Sequence, residues 1–137
     1  MMRAVVDTNI LIRALIKPDG TVGPILKRLS AGDYTLVYSE PILLELLAKL
    51  ALPRLRHKYH IDDLVVEQTL ALIALRGEPI TPERHVKVCR EPKDDMFIEA
   101  ALAGAAPYVV TGDEDLLILK RFESVRFVTP STFLKAL

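Results

Sequence analysis

Acidic side chains stand where the predicted strands end and where the following helices begin. These carboxylates are Asp7, Glu45, Asp94, Asp95, Asp113 and Asp115. Carboxylate oxygens are hard ligands, which favour Mg²⁺ or Mn²⁺ over softer transition metals. Ions of this kind activate water and stabilise the leaving oxygen when a phosphodiester is hydrolysed. The residue types therefore indicate a divalent-metal site with hydrolytic chemistry.

The predicted elements alternate between strand and helix. Strands are predicted at 3–7, 34–38, 79–81, 108–111 and 126–128, and helices around 10–15 and at 24–31, 39–51, 61–75, 94–103, 115–120 and 131–137. Ser39 is predicted to be the N-cap of the third helix. This alternation predicts a three-layer α/β/α sandwich with a mostly parallel sheet, in which reactive groups collect beyond the carboxyl ends of the strands.

Each carboxylate also has an alternative structural interpretation. Asp7 could cap the helix beginning at Thr8, a role that stabilises by about 1 kcal/mol. Glu45 could form an exposed pair with Lys49, which is worth roughly 0.3–0.5 kcal/mol. The other acids suit helix starts or a turn. Gathered at one sheet edge, however, four or more carboxylates would repel one another unless a cation neutralised them.

Length and composition are typical of one globular domain spanning 1–137. The chain has 137 residues, half of them apolar, with 18 basic and 18 acidic side chains. Setting the six carboxylates aside leaves 18 basic against 12 acidic residues, a net charge of +6 that suits a polyanion. Cys89 is the only cysteine, which excludes an internal disulfide and indicates a reducing compartment. We expect a cytoplasmic protein without a membrane segment.

Four segments resemble the PIN-domain nucleases, and in particular the VapC-like toxins of toxin–antitoxin pairs. They are VVDTNILIRAL at 5–15, SEPILLELLAKL at 39–50, EPKDDMFIEAALAGAAPYVVTGDEDLL at 91–117 and FVTPSTFL at 127–134. The combination of these segments in this order is more specific than the opening DTN. The resemblance implies a metal-dependent endoribonuclease using Mg²⁺ or Mn²⁺, with RNA as substrate, an antitoxin as partner and a homodimeric state.

The resemblance also implies roles for individual residues. The metal ligands and catalytic residues are expected to be Asp7, Glu45, Asp95 and Asp113. Supporting roles are implied for Thr8, Asn9, Ser39 and Thr111, and for Asp94 and Asp115 as further acids or helix caps. Asp95 is preferred to Asp94 because Met96-Phe97-Ile98 aligns with the apolar residues after the family's third Asp. On this basis Asp95→Asn is expected to keep the fold, or to gain stability without metal.

Basic residues follow the Glu45 helix and are candidates for RNA binding. They are Lys49, Arg54, Arg56 and Lys58. They could line a groove for single-stranded RNA, although an ordinary solvated loop is the alternative. The apolar helix at 61–75 could belong to the core or to a homodimer face.

Two other function classes compete with a nuclease. A PIN-fold protein could bind RNA or a partner without cutting, because a fold does not guarantee activity. A receiver-type phosphoacceptor domain is disfavoured, since the first strand supplies one Asp and no Lys begins the final loop. Asp7-Thr8-Asn9 also lacks the second Asp that a haloacid-dehalogenase-type phosphatase would place at position 9.

Overall fold

A six-stranded sheet forms the centre of the computed structural model, which describes residues 2–137. Its strands are β1 (Arg3–Val6), β2 (Thr35–Tyr38), β3 (Gly77–Pro79), β4 (Tyr108–Val110), β5 (Arg121–Phe122) and β6 (Val125–Val128). The strand order is β3-β2-β1-β4-β6-β5. Neighbouring strands are parallel except β5 and β6, which form an antiparallel hairpin.

Eight helices are described in residues 2–137. They are α1 (Thr8–Ile16), α2 (Pro24–Ser30), α3 (Glu40–Leu50), α4 (Pro53–Lys58), α5 (Asp63–Arg76), α6 (Asp95–Ala103), α7 (Glu114–Leu117) and α8 (Pro130–Ala136). A single 3₁₀ turn at Pro92–Asp94 leads into α6. Proline occupies the first position of α2, α4 and α8, where its fixed φ suits a helix start and no intrahelical N–H is lost.

The two faces of the sheet carry separate hydrophobic clusters. Alternation along β1 sends Ala4 and Val6 into one cluster and Val5 into the other. Helices α1, α2, α5 and α8 contribute to the first cluster, whereas α6 and α7 contribute to the second. The predicted three-layer α/β/α sandwich with a mostly parallel sheet is therefore confirmed.

One buried aromatic pair closes the first cluster. The Tyr34 ring meets Phe133 of α8 edge-on, with 5.0 Å between ring centroids. Its hydroxyl donates a 2.7 Å hydrogen bond to the carbonyl of Ile25 in α2. Because the hydroxyl is satisfied, Tyr34 packs in the core without the penalty of an orphaned polar group.

Some element boundaries differ from the sequence predictions. The strand predicted at 79–81 begins at Gly77, directly after α5, and a Cβ at this glycine would lie 2.4 Å from the Ile73 carbonyl oxygen. The short strand β5 was not predicted. It is two residues long and depends on its pairing with β6, which periodicity cannot reveal. Among residues 2–137, none of the helices has both the length and the apolar character needed to cross a membrane.

The central strands β1 and β4 lie side by side, and chain order reverses between them. β1 continues outward to β2 and β3, whereas β4 continues in the other direction to β6 and β5. Asp7 directly follows β1, and Thr111 directly follows β4. The switch point of the sheet, where parallel α/β folds place their ligands, is therefore bordered by these two positions.

Candidate functional site

Asp7 is buried at the switch point and is held from three directions. Asp7 is only 5% exposed. Oδ1 accepts a 3.0 Å hydrogen bond from the backbone N–H of Asn9 and so caps α1. Oδ2 accepts a 2.9 Å hydrogen bond from Thr111 Oγ1, and the Asp7 N–H donates to the Val110 carbonyl at 2.8 Å. The capping role and a place at the strand end thus coexist in one residue.

An open cleft of about 300 Å³ begins at Asp7. We call it the acidic cleft, and it is lined by Asp7, Asn9, Ile10, Arg13, Gly112 and Asp113. Thr111 links its two acids, because its hydroxyl donates to Asp7 and accepts from the Asp113 N–H at 3.0 Å. The Asp113 carboxylate in turn accepts from the Asp115 N–H at 2.9 Å and caps α7. Asp7 and Asp113, predicted as ligands, therefore line the same cavity.

Glu45 reaches the start of α1 from α3. Its Oε2 accepts a 2.6 Å hydrogen bond from the hydroxyl of buried Thr8. Lys49, one turn further along α3, lies 3.6 Å from the same oxygen. Its ammonium also donates to Thr8 Oγ1 at 3.1 Å and to Asn9 Oδ1 at 2.8 Å. The Glu45–Lys49 pair of the alternative structural interpretation is thus present, but it is partly buried against α1 rather than exposed.

The adjacent Asp94 and Asp95 have different surroundings. Asp95 is buried, and its Oδ1 accepts hydrogen bonds from the backbone N–H groups of Val88 and Cys89 at 3.0 and 2.8 Å. This carboxylate anchors the extended segment that precedes α6. Burial, followed by the hydrogen bond to Asp95, raises the pKa of the Cys89 thiol to about 12, so the thiol stays protonated.

Asp94 is the acid whose pKa responds to the charges of the other carboxylates. Burial is the largest cause that raises its pKa from 3.8 to about 6, and the negative charges of Asp113, Asp7 and Glu45 add to the rise. Lys93 opposes the shift. Three predicted site carboxylates therefore act on Asp94 through space.

Among residues 2–137, no group of three or more His, Cys, Asp or Glu side chains is arranged to hold a metal ion. The donor chemistry nevertheless fits a hard divalent cation, because the groups that converge are carboxylates. Ser39 supplies a further oxygen. Its hydroxyl is buried without a hydrogen-bond partner among the described residues, and it makes no side-chain cap to α3 despite its N-cap position. Ser39 directly follows β2, which pairs in parallel with β1, the strand that Asp7 follows.

The remaining predicted site residues lie further from this cluster or have structural contacts. Asp115 belongs to the first turn of α7, and its carboxylate lies 3.6 Å from Arg90. Arg56 donates to the Leu50 carbonyl at 3.1 Å and to Asp63 at 2.8 Å, so it joins α4 to α3 and α5. Arg54 and Lys58 are exposed. Of the four basic candidates, Lys49 alone contacts a predicted site carboxylate within residues 2–137.

Arg13 lines the acidic cleft but was not singled out by sequence reasoning. It is exposed on α1, and no salt bridge or side-chain hydrogen bond engages it within residues 2–137. The available signal was its spacing, because Asn9 and Arg13 are four residues apart and so share one face of the helix that follows Asp7. A cation on that face lies beside the predicted carboxylates.

Comparison with known proteins agrees with this architecture. The PIN domain family matches residues 3–115. The uncharacterized protein MJ1680 of Methanocaldococcus jannaschii is 34% identical over 119 residues, which are 87% of this chain and 76% of that protein. A crystal structure of VapBC2 from Rickettsia felis, bound to a DNA fragment from its promoter, contains a chain with the same fold. The TM-score is 0.60 at 17% identity, covering 93% of this chain and 98% of that one. This chain belongs to the PIN domain family.

Proposed function

We propose that the protein is a Mg²⁺- or Mn²⁺-dependent endoribonuclease that hydrolyses RNA at the acidic cleft. The observation that carries the proposal is that Asp7 and Asp113 line one cleft at the switch point of the sheet, while Asp7, Asp113 and Glu45 all act electrostatically on Asp94. Carboxylates gathered at one site repel one another, and a bound divalent cation removes the repulsion.

The ligand set that we propose is Asp7, Asp94 and Asp113, with Glu45 as a further carboxylate. Asp95 is assigned instead to positioning, because two backbone amides already engage its Oδ1. Thr111 fixes the orientations of Asp7 and Asp113 through its hydroxyl. Ser39, which follows the neighbouring strand β2, offers a buried oxygen without a hydrogen-bond partner among the described residues.

When bound, a divalent ion at these carboxylates supplies Lewis acidity, which lowers the pKa of water and neutralises charge on the phosphate. The protein's own residues hold the reacting groups. Lys49 and Arg13 lie at the rim and offer positive charge to the phosphodiester. In-line attack by water would leave 5′-phosphate and 3′-hydroxyl ends.

RNA is proposed as the substrate because the surface outside the acidic site is basic. When the six predicted site carboxylates are set aside, 18 basic and 12 acidic residues remain, which is a net charge of +6. Such a charge attracts the phosphate backbone, while the acids are neutralised by the metal. We further propose that the protein works as the toxin of a toxin–antitoxin pair in the cytoplasm and as a homodimer. The fold it shares with a chain of VapBC2 supports this proposal.

A metal titration with labelled single-stranded RNA tests the activity. We expect cleavage with Mg²⁺ or Mn²⁺ and none in EDTA. Asp7→Asn should lower the cleavage rate at least ~100-fold, because it weakens the charge that holds the metal yet keeps the oxygen that caps α1. Glu67→Gln provides the control, since this exposed residue lies on α5 outside the cleft.

Cleavage that persists in EDTA and in Asp7→Asn would contradict the proposal. RNA binding without any cleavage would favour the non-catalytic PIN-fold binder. Metal binding has an independent readout, because an ion that binds only the native state raises the melting temperature. We expect Mg²⁺ or Mn²⁺ to raise the melting temperature of the wild type and of Glu67→Gln, but not the melting temperature of Asp94→Asn.

A further inference from the structure

A second cavity lies next to the acidic cleft on the same side of α1. Its volume is also about 300 Å³, at the small end of the range of ligand pockets. Arg13 lines both cavities, so the two share a wall. Its lining also includes the side chains of Ile16, Lys17, Thr21 and Tyr59. We call this cavity the Arg13–Tyr59 pocket.

The lining of the Arg13–Tyr59 pocket combines positive charge with one aromatic ring. Neither Arg13 nor Lys17 forms a salt bridge or a side-chain hydrogen bond with residues 2–137, so both cations can meet an external anion. Tyr59 is half-buried and packs against the first hydrophobic cluster, while the Lys58 ammonium lies 5.3 Å from its ring centroid. The packing against the hydrophobic cluster holds the ring in place before any ligand arrives.

Helix geometry connects this pocket to the carboxylates. Asn9 lies in the acidic cleft and Lys17 in the Arg13–Tyr59 pocket, with Arg13 midway between them. At a rise of about 1.5 Å per residue, the eight positions from Asn9 to Lys17 cover about 12 Å. A short flexible chain that carries phosphates can therefore occupy both cavities at once.

We propose that the Arg13–Tyr59 pocket binds a nucleotide of single-stranded RNA beside the phosphodiester held in the acidic cleft; this inference rests on the proposed function. Tyr59 stacks on the base, and Arg13 and Lys17 contact the flanking phosphates. An unpaired strand is required because a base within a duplex has no free face to offer the ring. Cations together with a fixed aromatic ring fit a nucleotide better than an acidic peptide, which would not use the ring.

The test measures binding in EDTA, where no cleavage can occur. The probe is a fluorescein-labelled single-stranded RNA octamer, followed by fluorescence anisotropy over a range of salt concentrations. Tyr59→Leu should weaken binding at least about fivefold through lost stacking, whereas Tyr59→Phe keeps the ring and should bind as the wild type does. Arg13→Ala and Lys17→Ala should each reduce the slope of log K against log salt by about 0.7.

Arg126→Ala is the matched control for charge. This exposed arginine lies at the start of β6, at the opposite end of the sheet, and should leave the slope unchanged. The pocket assignment is overturned if the salt slopes of Arg13→Ala and Lys17→Ala equal that of Arg126→Ala. It is also overturned if Tyr59→Phe weakens RNA binding as much as Tyr59→Leu does. Stronger binding of a labelled hexaglutamate peptide than of the RNA would also overturn it, in favour of a protein partner.

Two outcomes separate this inference from the proposed function. Metal-dependent cleavage with no effect of the pocket variants on binding would reject the pocket and keep the nuclease. Loss of binding in these variants, without cleavage by the wild type under any metal, would keep the pocket and reject the nuclease. Circular dichroism of Tyr59→Leu shows whether weaker binding comes from lost stacking or from lost folding. Arg13→Ala tests the pocket at an exposed residue, where substitution does not disturb the core.

Discussion

Replacing Asp94 and Asp95 separately by asparagine should change the stability of the metal-free protein in opposite directions. The two residues are adjacent and carry the same side chain, so each variant is the control for the other. Asp94 lies among like charges, and its pKa is raised to about 6 by burial and by the neighbouring acids. Asp95 instead accepts hydrogen bonds from the backbone amides of Val88 and Cys89.

The sign for Asp94 follows from proton linkage. Because its folded pKa of about 6 exceeds 3.8, the native state binds more protons than the unfolded state between these values. Stability due to this group therefore falls as pH rises through that window and stays low above it. The rise in pKa corresponds to about 3 kcal/mol. Solvent screening at this partly exposed position reduces it, and we expect Asp94→Asn to gain about 1 kcal/mol near neutral pH.

The expected effect of Asp95→Asn is a loss of stability. A neutral amide oxygen accepts more weakly than a carboxylate, and hydrogen bonds to charged groups contribute about 1.5–3 kcal/mol each. A loss of about 1–2 kcal/mol is therefore expected when both bonds weaken. This reverses the sequence-based expectation, which treated Asp95 as a repelled carboxylate without knowledge of the two amides.

Urea unfolding of both variants in EDTA, near pH 4 and near pH 7, measures these differences. Asp94→Asn should match the wild type near pH 4 and exceed it near pH 7, whereas Asp95→Asn should be less stable near pH 7. Equal changes in the two variants, or a gain in Asp94→Asn that does not depend on pH, would refute the reasoning. Unchanged slopes against urea would show that the variants alter stability rather than the extent of unfolding.

Other substitutions test the contacts that build the site and the core. Thr111→Val should cost about 1–3 kcal/mol in urea unfolding, because it removes the hydrogen bond to Asp7 and leaves the Asp113 N–H without its acceptor. Gly104→Ala should lower the melting temperature, because a Cβ there would lie 2.3 Å from Val37 Cγ1. Tyr34→Phe should cost about 1 kcal/mol by urea unfolding, since it deletes a buried 2.7 Å hydrogen bond. An unchanged unfolding free energy in any of the three would contradict the contact concerned.

Burial also raises the pKa of the Tyr34 hydroxyl above its ordinary value of 10.0. Ionisation is therefore easier in the unfolded state, so stability falls as pH rises above that value. Tyr34→Phe should remove this alkaline loss of stability.

The order and type of the main elements could be predicted from local pattern. The short β-branched run of β1 and the 3.6-residue period of α1 are properties of single segments, so neither needs a partner to be recognised. The place of Asp7 after a strand followed from the same pattern. The two-residue strand β5 could not be predicted, because its only support is the antiparallel pairing with β6.

Residue types and spacing determined that carboxylates would stand at the ends of parallel strands, because strand direction alone sends Asp7 and Asp113 to one sheet edge. Only the tertiary structure decided the different surroundings of the Asp94 and Asp95 side chains. Asp94 and Asp95 are alike in sequence, but the 3₁₀ turn before α6 brings one towards the acids and the other under the amides of Val88 and Cys89. Contacts between distant segments decide such a difference, because a local pattern contains no information about what lies across the cleft.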